Sequence, residues 1–535
     1  MKKRLRLIPI LLIIISLLCS CAGPSGDTSD EPAQNPEGTA TVIEDPEGVA
    51  DPAYVGTGDG RFTIRYDPDS SFNPLYSRSV LNTEAAGLIF EGLFAVDGGF
   101  QAQPVLCDNW STDDGISWKF SIKPGLRFSD GSNLTAEDVM YSIDQARLND
   151  KYASRLKMID STGTESEYVL SVTLTEANYT LPLLLDVPVV EYGTAEYSLP
   201  VGTGPYVPAE SGTPRMMANP YYRDELPFAA IYLSDMGDEL MPEAFSSGKI
   251  DLIVNDPTNT TMYLRNDHEV RPCSTSLLEY IGFSYYSAAM EDAAVRRAIS
   301  LCIDRDAICG DIMKNSVTPA PLLYSSKSPW YSFVPEEKIS FSLLDASKQL
   351  GAAGMRDPDL DGWLDYPVSD MGYGDVSITF LVCSDNEHKV AAAELIATAM
   401  RNVGLHVTLS KLPWNEYVEA LEEGNFDMYI ASAMIPQNFD FSELLTQGGA
   451  LNFGMLQDDS YASLINSYLA ASTDRDREMA VENLCTYAAL NADIIPLFYS
   501  GRSVHTNRNT VTGVCPTQTT PYFDIAGWKT LPQNS

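Results

Sequence analysis

A chain of 535 residues with 44% hydrophobic side chains has enough length for two or three domains, each with its own core. Its 73 acidic against 35 basic residues leave a formal charge of −38, and so acidic a chain argues against nucleic acid as a partner, because phosphate contacts need clustered Lys and Arg. Of the 9 cysteines, the seven beyond Cys19 and Cys21 are an odd number at wide spacing with no CxxC pair, which argues against a disulfide framework and a zinc ribbon.

Lys2, Lys3, Arg4 and Arg6 precede an apolar run over 7–18. That run is too short to span a bilayer permanently and suits the apolar region of a secretory signal, so 1–20 is predicted to be a cleaved signal peptide. Losing four positive and no negative residues takes the formal charge from −38 to about −42. Leu18-Cys19-Ser20-Cys21 resembles the lipobox of bacterial lipoproteins, which implies diacylation of Cys21 as the new N-terminus. Two acyl chains anchor a protein stably where one does not. Residues 22–57 are rich in Pro, Gly, Ser, Thr, Asp and Glu and contain no Lys or Arg. They carry too little apolar surface to offset the entropy of ordering, so 21–57 reads as a disordered, lipid-anchored tether with a reach of roughly 30–40 Å.

Phe62-Thr63-Ile64-Arg65-Tyr66 alternates as a strand, and Ser71-Phe72-Asn73-Pro74-Leu75 turns the chain. Trp118 to Ile122 reads as a strand, Pro124-Gly125 and Asp130-Gly131 as turns, and Thr135 as the start of a helix whose Asp138 completes a capping box. Pro200-Val201-Gly202-Thr203-Gly204-Pro205-Tyr206 reads as a Gly-rich turn before a strand; without G-x-x-x-x-G-K-[ST] spacing it does not signal a phosphate cradle. Phe245 to Ile253 reads as a helix, a Gly248 stop and a strand. Asp292 to Ser300 has helical spacing, and Asp304 is placed to cap the helix that follows. Arg296 and Arg297 on the first of these are read as surface or interdomain ion-pair partners.

Asp357-Pro358-Asp359-Leu360-Asp361-Gly362-Trp363-Leu364-Asp365 places carboxylates at positions 1, 3, 5 and 9 of an EF-hand-like loop, with Gly at 6. Oxygen ligands at alternate positions suit calcium, but Val368 stands where the bidentate Glu of position 12 belongs. An acidic surface turn and a calcium loop both fit Asp357, Asp359, Asp361 and Asp365. The four histidines show no metal-ligating spacing, and neither a G-x-S-x-G elbow nor a nucleophile and base constellation is present, so no enzyme activity and no other cofactor is expected.

Between Val376 and Ala433 the pattern is an apolar run to Cys383, helical periodicity over 386–402, alternation from His406 to Leu412, an amphipathic stretch from Trp414 to a Gly424 stop, and a second apolar run. That is β-α-β-α-β, which demands a parallel sheet covered by helices, with ligands outside the carboxyl ends of the strands.

Taken together, Asn73-Pro74, the string Lys123 to Val139, Pro200 to Tyr206, Asn219-Pro220-Tyr221-Tyr222, Phe245 to Ile253 and Trp414-Asn415-Glu416-Tyr417 resemble the family 5 extracellular solute-binding proteins of ABC importers. The resemblance covers about 58–530. It implies an α/β, two-lobed periplasmic-binding-protein type II fold with an additional α+β domain. Lobe I would be 58–80, 181–279 and 498–535, the extra domain 81–180, and lobe II 280–497, with Tyr280–Phe283 and Ile495–Phe498 as the crossings. It also implies a monomer on the outer face of the membrane that captures a small solute between the lobes and delivers it to a permease. A peptide is the leading solute; a nickel chelate, an oligosaccharide or an opine-like compound is the alternative, and a signalling receptor would share the sequence.

Within that resemblance Trp414 and Tyr417 match a stretch that flanks the ligand pocket. Peptide-binding members follow the next strand with a tryptophan and then an aspartate that pairs with the ligand's α-ammonium. Here Ala433 and Pro436 stand at those two positions. Asp440 is the nearest replacement carboxylate, and Asn438 and Asn452 are candidates for neutral contacts.

Overall fold

The computed structural model describes residues 61–256, 268–331, 339–368 and 372–530. The expected signal peptide, Cys21 and the tether lie outside them. In chain order, β1 (Phe62–Arg65) buries Phe62 and Ile64 on one face. Four antiparallel strands follow, β2 (Cys107–Thr112), β3 (Ser117–Ile122), β4 (Ile159–Ser166) and β5 (Val169–Leu174), in the spatial order β2-β3-β5-β4. Against them lies α1 (Ala136–Arg147), whose start is the expected capping box: Asp138 accepts from the Thr135 amide at 2.9 Å and from its hydroxyl at 2.7 Å. Its other oxygen takes the Tyr192 amide at 3.0 Å, so the same carboxylate ties the helix to the chain beyond the α+β segment.

Four short strands, β6 (Tyr206–Pro208), β7 (Arg215–Ala218), β8 (Ala230–Ser234) and β9 (Leu252–Asn255), join β1. The long β10 (His268–Phe283) leads into α2 (Ala293–Leu301). Then come β11 (Ser377–Cys383), α3 (Glu387–Asn402), β12 (His406–Leu412), α4 (Trp414–Glu423) and β13 (Met428–Met434), the β-α-β-α-β unit read from the sequence, with β11 parallel to both β12 and β13. The stop of α4 is a left-handed Gly424 at φ 73°. The long β14 (Ile494–Asn507) returns antiparallel to β10. The main path of an eleven-stranded sheet is therefore β12-β11-β13-β10-β14-β9-β1-β8-β7-β6, and among the described residues only β10 and β14 run through both of its halves.

Those two strands do not cross where the sequence suggested. Tyr280 to Phe283 already pairs with β13 inside the second half, and Ile494 to Pro496 lies opposite Gly282 to Tyr280. The ladder breaks between Ser274 and Leu278, opposite Gly501 and Tyr499. The crossing is thus 275–277 and Ser500, several residues nearer the first half on both strands. Strand alternation continues through a bulge, so nothing in the local pattern marked the change.

The core also departs from a clean three-body division. Phe62 and Ile64 of β1 belong to one apolar cluster with Phe120, Val139 and Leu170 of the α+β segment, so that segment shares a core with the first half. The second half buries Ile299, Phe380, Ile396 and Met428 on one face of its sheet, and Tyr280, Tyr417 and Tyr429 with Phe439 on the other. Gly202 and Gly204 have a packing role: a Cβ on either would meet the backbone of Ile89 at 2.2 and 2.4 Å. Arg296 is a correction, since it is neither superficial nor between domains. It is 3% exposed, pairs with Asp493 at 2.5 Å and donates to the carbonyls of Met290, Glu291, Asn491 and Ala492. Asp304 does cap its helix, through the Ala307 amide at 2.9 Å. Cys107, Cys273, Cys302, Cys309, Cys383 and Cys485 are buried and unbridged, while Cys515 is exposed.

Candidate functional site

Strand direction locates the site. β8 and β9 run parallel to β1, and β9 pairs with β14 from Leu252 opposite Thr506 to Asn255 opposite Ser503, so all three carboxyl ends point at the Ser500 break. β11 and β12 run parallel to β13, whose last residue, Met434, pairs with Leu277 beside the same break. The parallel strands of both halves therefore aim their carboxyl ends at one crossing, which is where an open α/β sheet binds ligands.

On the second half, the Ser384 amide donates to Leu412 O at 2.7 Å and the Trp414 amide to the Asp385 carboxylate at 3.0 Å, which draws the ends of β11 and β12 together. Trp414, half-buried, stacks on Tyr417 at 6.0 Å. Tyr417 is only 4% exposed, and its hydroxyl donates to Ile430 O at 2.7 Å, so it props Trp414 from below. Ala433 is buried and Met434 is 42% exposed. β13 outlasts one of its neighbours: pairing with β11 is confined to Met428 and Tyr429, whereas pairing with β10 continues to Met434. Among the described residues no strand lies beside Ser432 to Met434 on the β11 side. On this stretch Ser432 donates to Glu279 at 2.6 Å and accepts from Lys389, whose ammonium is 3.3 Å from the same carboxylate. Glu279 is 2% exposed, so this is a buried ion pair.

The loop after β13 faces the α+β segment. Gln437 donates to Asp186 at 2.9 Å, and Arg155 pairs with the other oxygen of Asp186 at 2.6 Å. Lys157 meets Glu443 at 2.5 Å, and the Tyr179 amide donates to Leu469 O at 2.8 Å. Asn438 was expected to offer a neutral contact. Instead it is fully buried, donates to Thr180 Oγ1 at 3.1 Å and accepts from the Asp440 amide at 3.3 Å. Asn452 is likewise spent, on Thr446 O, Leu456 O and the Leu456 amide. Asp440 accepts from the Ser442 amide at 2.9 Å and its hydroxyl at 2.5 Å, and Pro436 is half-buried. Beneath the loop Phe439, in a left-handed conformation at φ 56°, stacks on Tyr324 at 5.3 Å and meets Phe100 at 5.0 Å. These aromatics come from widely separated stretches, and no local signal marks them as neighbours.

The acidic loop lies elsewhere, at the end of the sheet occupied by β12. Asp357, Asp359 and Asp361 bring one carboxylate oxygen each within 4.8 Å of the others. Asp365 is not part of that triad: its backbone pairs with Arg356 to close the loop, and its side chain is buried. Burial first, then the carboxylates of Asp375, Asp359, Asp361 and Asp357, hold its pKa above the ordinary value.

Residues 101–450 match the model of the bacterial extracellular solute-binding proteins, family 5. The chain belongs to that family. This family 5 chain is 22% identical over 463 residues to the oligopeptide-binding protein AppA of Bacillus subtilis, covering 80% of this chain and 79% of AppA. A structure of that AppA in complex with a nonapeptide superposes with a TM-score of 0.65 at 19% identity, covering 90% of the family 5 chain and all of AppA. The ABC transporter substrate-binding protein CtaP of Listeria monocytogenes superposes with a TM-score of 0.72 at 16% identity, covering 89% and 99% of the two chains. NikA of Brucella suis, in complex with Fe(III)-EDTA, does so with a TM-score of 0.68 at 19% identity, covering 84% and 95%. The periplasmic-binding-protein type II fold expected from the motifs is thus the fold of this family 5 protein, and the role it shares with its family is solute binding for ABC import. Among its described residues no helix is long and apolar enough to cross a membrane.

Proposed function

We propose that this solute-binding protein encloses a peptide at the crossing and delivers it to the transmembrane subunits of an ABC importer, working as a monomer and without catalysis. Signal cleavage before Cys21 and acylation of Cys21 would hold it on the outer face of the cell membrane by the 21–57 tether. A Cys21→Ala variant should then leave the membrane fraction.

One observation carries the ligand class. Among the described residues the last residues of β13, which end at the exposed Met434, have a strand on one side only, and an extended chain can add to such an edge by main-chain hydrogen bonds. The oligopeptide-binding relative supports the same class. Reading of a free α-amine is not part of the proposal: Pro436 offers no charge, and one oxygen of Asp440 already holds Ser442. Calorimetry with one peptide in free and N-acetylated forms tests this, and similar affinities are expected. A preference of more than about tenfold for the free form, lost in Asp440→Asn, would place the ammonium against that carboxylate after all. The uncharged Pro436 also admits a second reading, a metal chelate of the kind bound to NikA, which would displace the first if a peptide library fails and nickel chelates bind.

A further inference from the structure

We infer that Lys389, held in place by the buried carboxylate of Glu279, selects peptides with an acidic side chain at one position, the residue that lies opposite Ser432; the inference rests on the peptide reading of the site. Strand alternation fixes that position. The Ile435 amide donates to Ser276 O at 3.0 Å, and the ladder between β10 and β13 keeps its register from Met434 back to Met428. Ala433 and Ala431 therefore turn their backbone groups to β10, while Ser432 and Met434 turn theirs to the β11 side. The Tyr417 hydroxyl, which takes Ile430 O at 2.7 Å, agrees with this alternation. An extended chain added at that edge bonds to Ser432 and Met434 through its main chain, and its residue opposite Ser432 puts its side chain on the face of Ser432.

That face is the one covered by α3. Ser432 stands opposite Glu279, and Met428 and Ile430, which alternate with it along β13, pack with Ile396 of α3. In the first turn of α3, Lys389 places its ammonium on Ser432 Oγ and 3.3 Å from Glu279 Oε2. Ser432 in turn donates to Glu279 Oε1 at 2.6 Å. Glu279 Oε2 is buried and makes no hydrogen bond, and among the described residues Lys389 is the only cation within ion-pair distance of it. An ammonium carries three donors, and among the described residues only the bond to Ser432 is formed. The Lys389 side chain is 20% exposed against 2% for Glu279, so a ligand beside Ser432 meets the ammonium and not the carboxylate. An acidic side chain there completes the donors of Lys389 with a charge-assisted bond, whereas a basic one sets like charges together. Asp385 and Glu387 of the same turn are exposed, and Asp385 is tied to the Trp414 amide, so solvent screens them more than the largely buried pair. The adjoining ligand residues fall on the opposite face, which confines the selection to one position. Glu279 is a positioning residue: it fixes where the charge of Lys389 stands.

Capture of C-terminally amidated pentapeptides of randomised sequence on the full-length protein, read by mass spectrometry and followed by calorimetry on the selected peptides, is the test. Amidation leaves side chains as the only carboxylates. One position should favour Asp or Glu over Lys or Arg by at least about tenfold. Lys389→Met should erase that preference, whereas Glu279→Gln, which leaves the ammonium less compensated, should strengthen it. A merely structural pair would not move the two variants in opposite directions. If either single variant fails to fold, Glu279→Gln/Lys389→Met, which removes both charges together, decides: it should bind peptides without the preference. Peptides bound with no acidic preference, or with one that survives the double variant, would overturn the inference and leave the peptide reading standing. Binding only by peptides with a free C-terminal carboxylate would move the charge to the chain end and equally overturn it. Failure of any peptide to bind, amidated or free, would overturn both.

Discussion

Asp493 shows how much can rest on one buried side chain. It takes the Arg296 guanidinium on one oxygen, together with the Tyr285 hydroxyl, and the Tyr461 hydroxyl at 2.6 Å on the other. Both members of the ion pair are nearly inaccessible, so removing one charge leaves the other buried and unpaired. Asp493→Asn should therefore cost about 3–5 kcal/mol of unfolding free energy in urea titrations. A loss below about 1 kcal/mol would mean that the carbonyls around Arg296 suffice to hold it. His505 gives a pH-dependent counterpart. Burial first, then the neighbouring His268, press its pKa from 6.5 down to about 4, and its Nδ1 is buried without a hydrogen bond. The folded state thus holds it neutral while the unfolded state binds a proton. Its contribution is complete above pH 6.5 and is lost as pH falls through that value towards about 4. The parent should lose more stability over this window than His505→Gln, and parallel curves would remove His505 as the cause.

At the scale of elements, the Gly-Thr-Gly turn before β6 shows why composition alone misleads. Gly204 donates its amide to Ile89 O at 2.8 Å, and a Cβ would fall 2.5 Å from that same oxygen and 2.4 Å from the carbonyl carbon. Because the obstacle is backbone, it cannot swing aside as a flexible side chain would. Gly204→Ala should cost about 1–3 kcal/mol, read as a lowered thermal midpoint, and a neutral result would show that the turn can separate from Ile89. The turn sits between the α+β segment and the first half, which is consistent with the single core those two parts share.

Among the described residues two strands are the sheet's only continuous connection between its halves, and both are irregular at the same level. Thr275 donates to Ser500 O at 2.6 Å, and the Ser276 amide to Gln518 at 2.6 Å, so side chains take up backbone groups that the ladder leaves free there. Such a break is a natural pivot for closure around a ligand. Movement about it must also act on the contacts of Gln437, Asn438 and Glu443 with the α+β segment, because that segment is bound to the first half by its core. Small-angle scattering should show a smaller radius of gyration at saturating peptide. An identical profile with and without peptide would count against the pivot.

Features that depend on a few neighbouring residues were legible in the chain. The Thr135 and Asp138 capping box, the Gly424 stop, the Asp304 cap and the β-α-β-α-β alternation all carry their periodicity or partner within one or two turns of chain, and the family motifs are equally local. The remainder came from contacts between distant stretches. Arg296 finds the carboxylate that pairs with it, Asp493, 197 residues away in sequence. Asn438 faces Thr180 across 258 residues, so its amide is consumed where a free ligand contact had been expected. The crossing moved to 275–277 because a bulged strand keeps its alternation while its partner's register changes. In each case the sequence names a chemical group, and long-range packing settles which partner satisfies it.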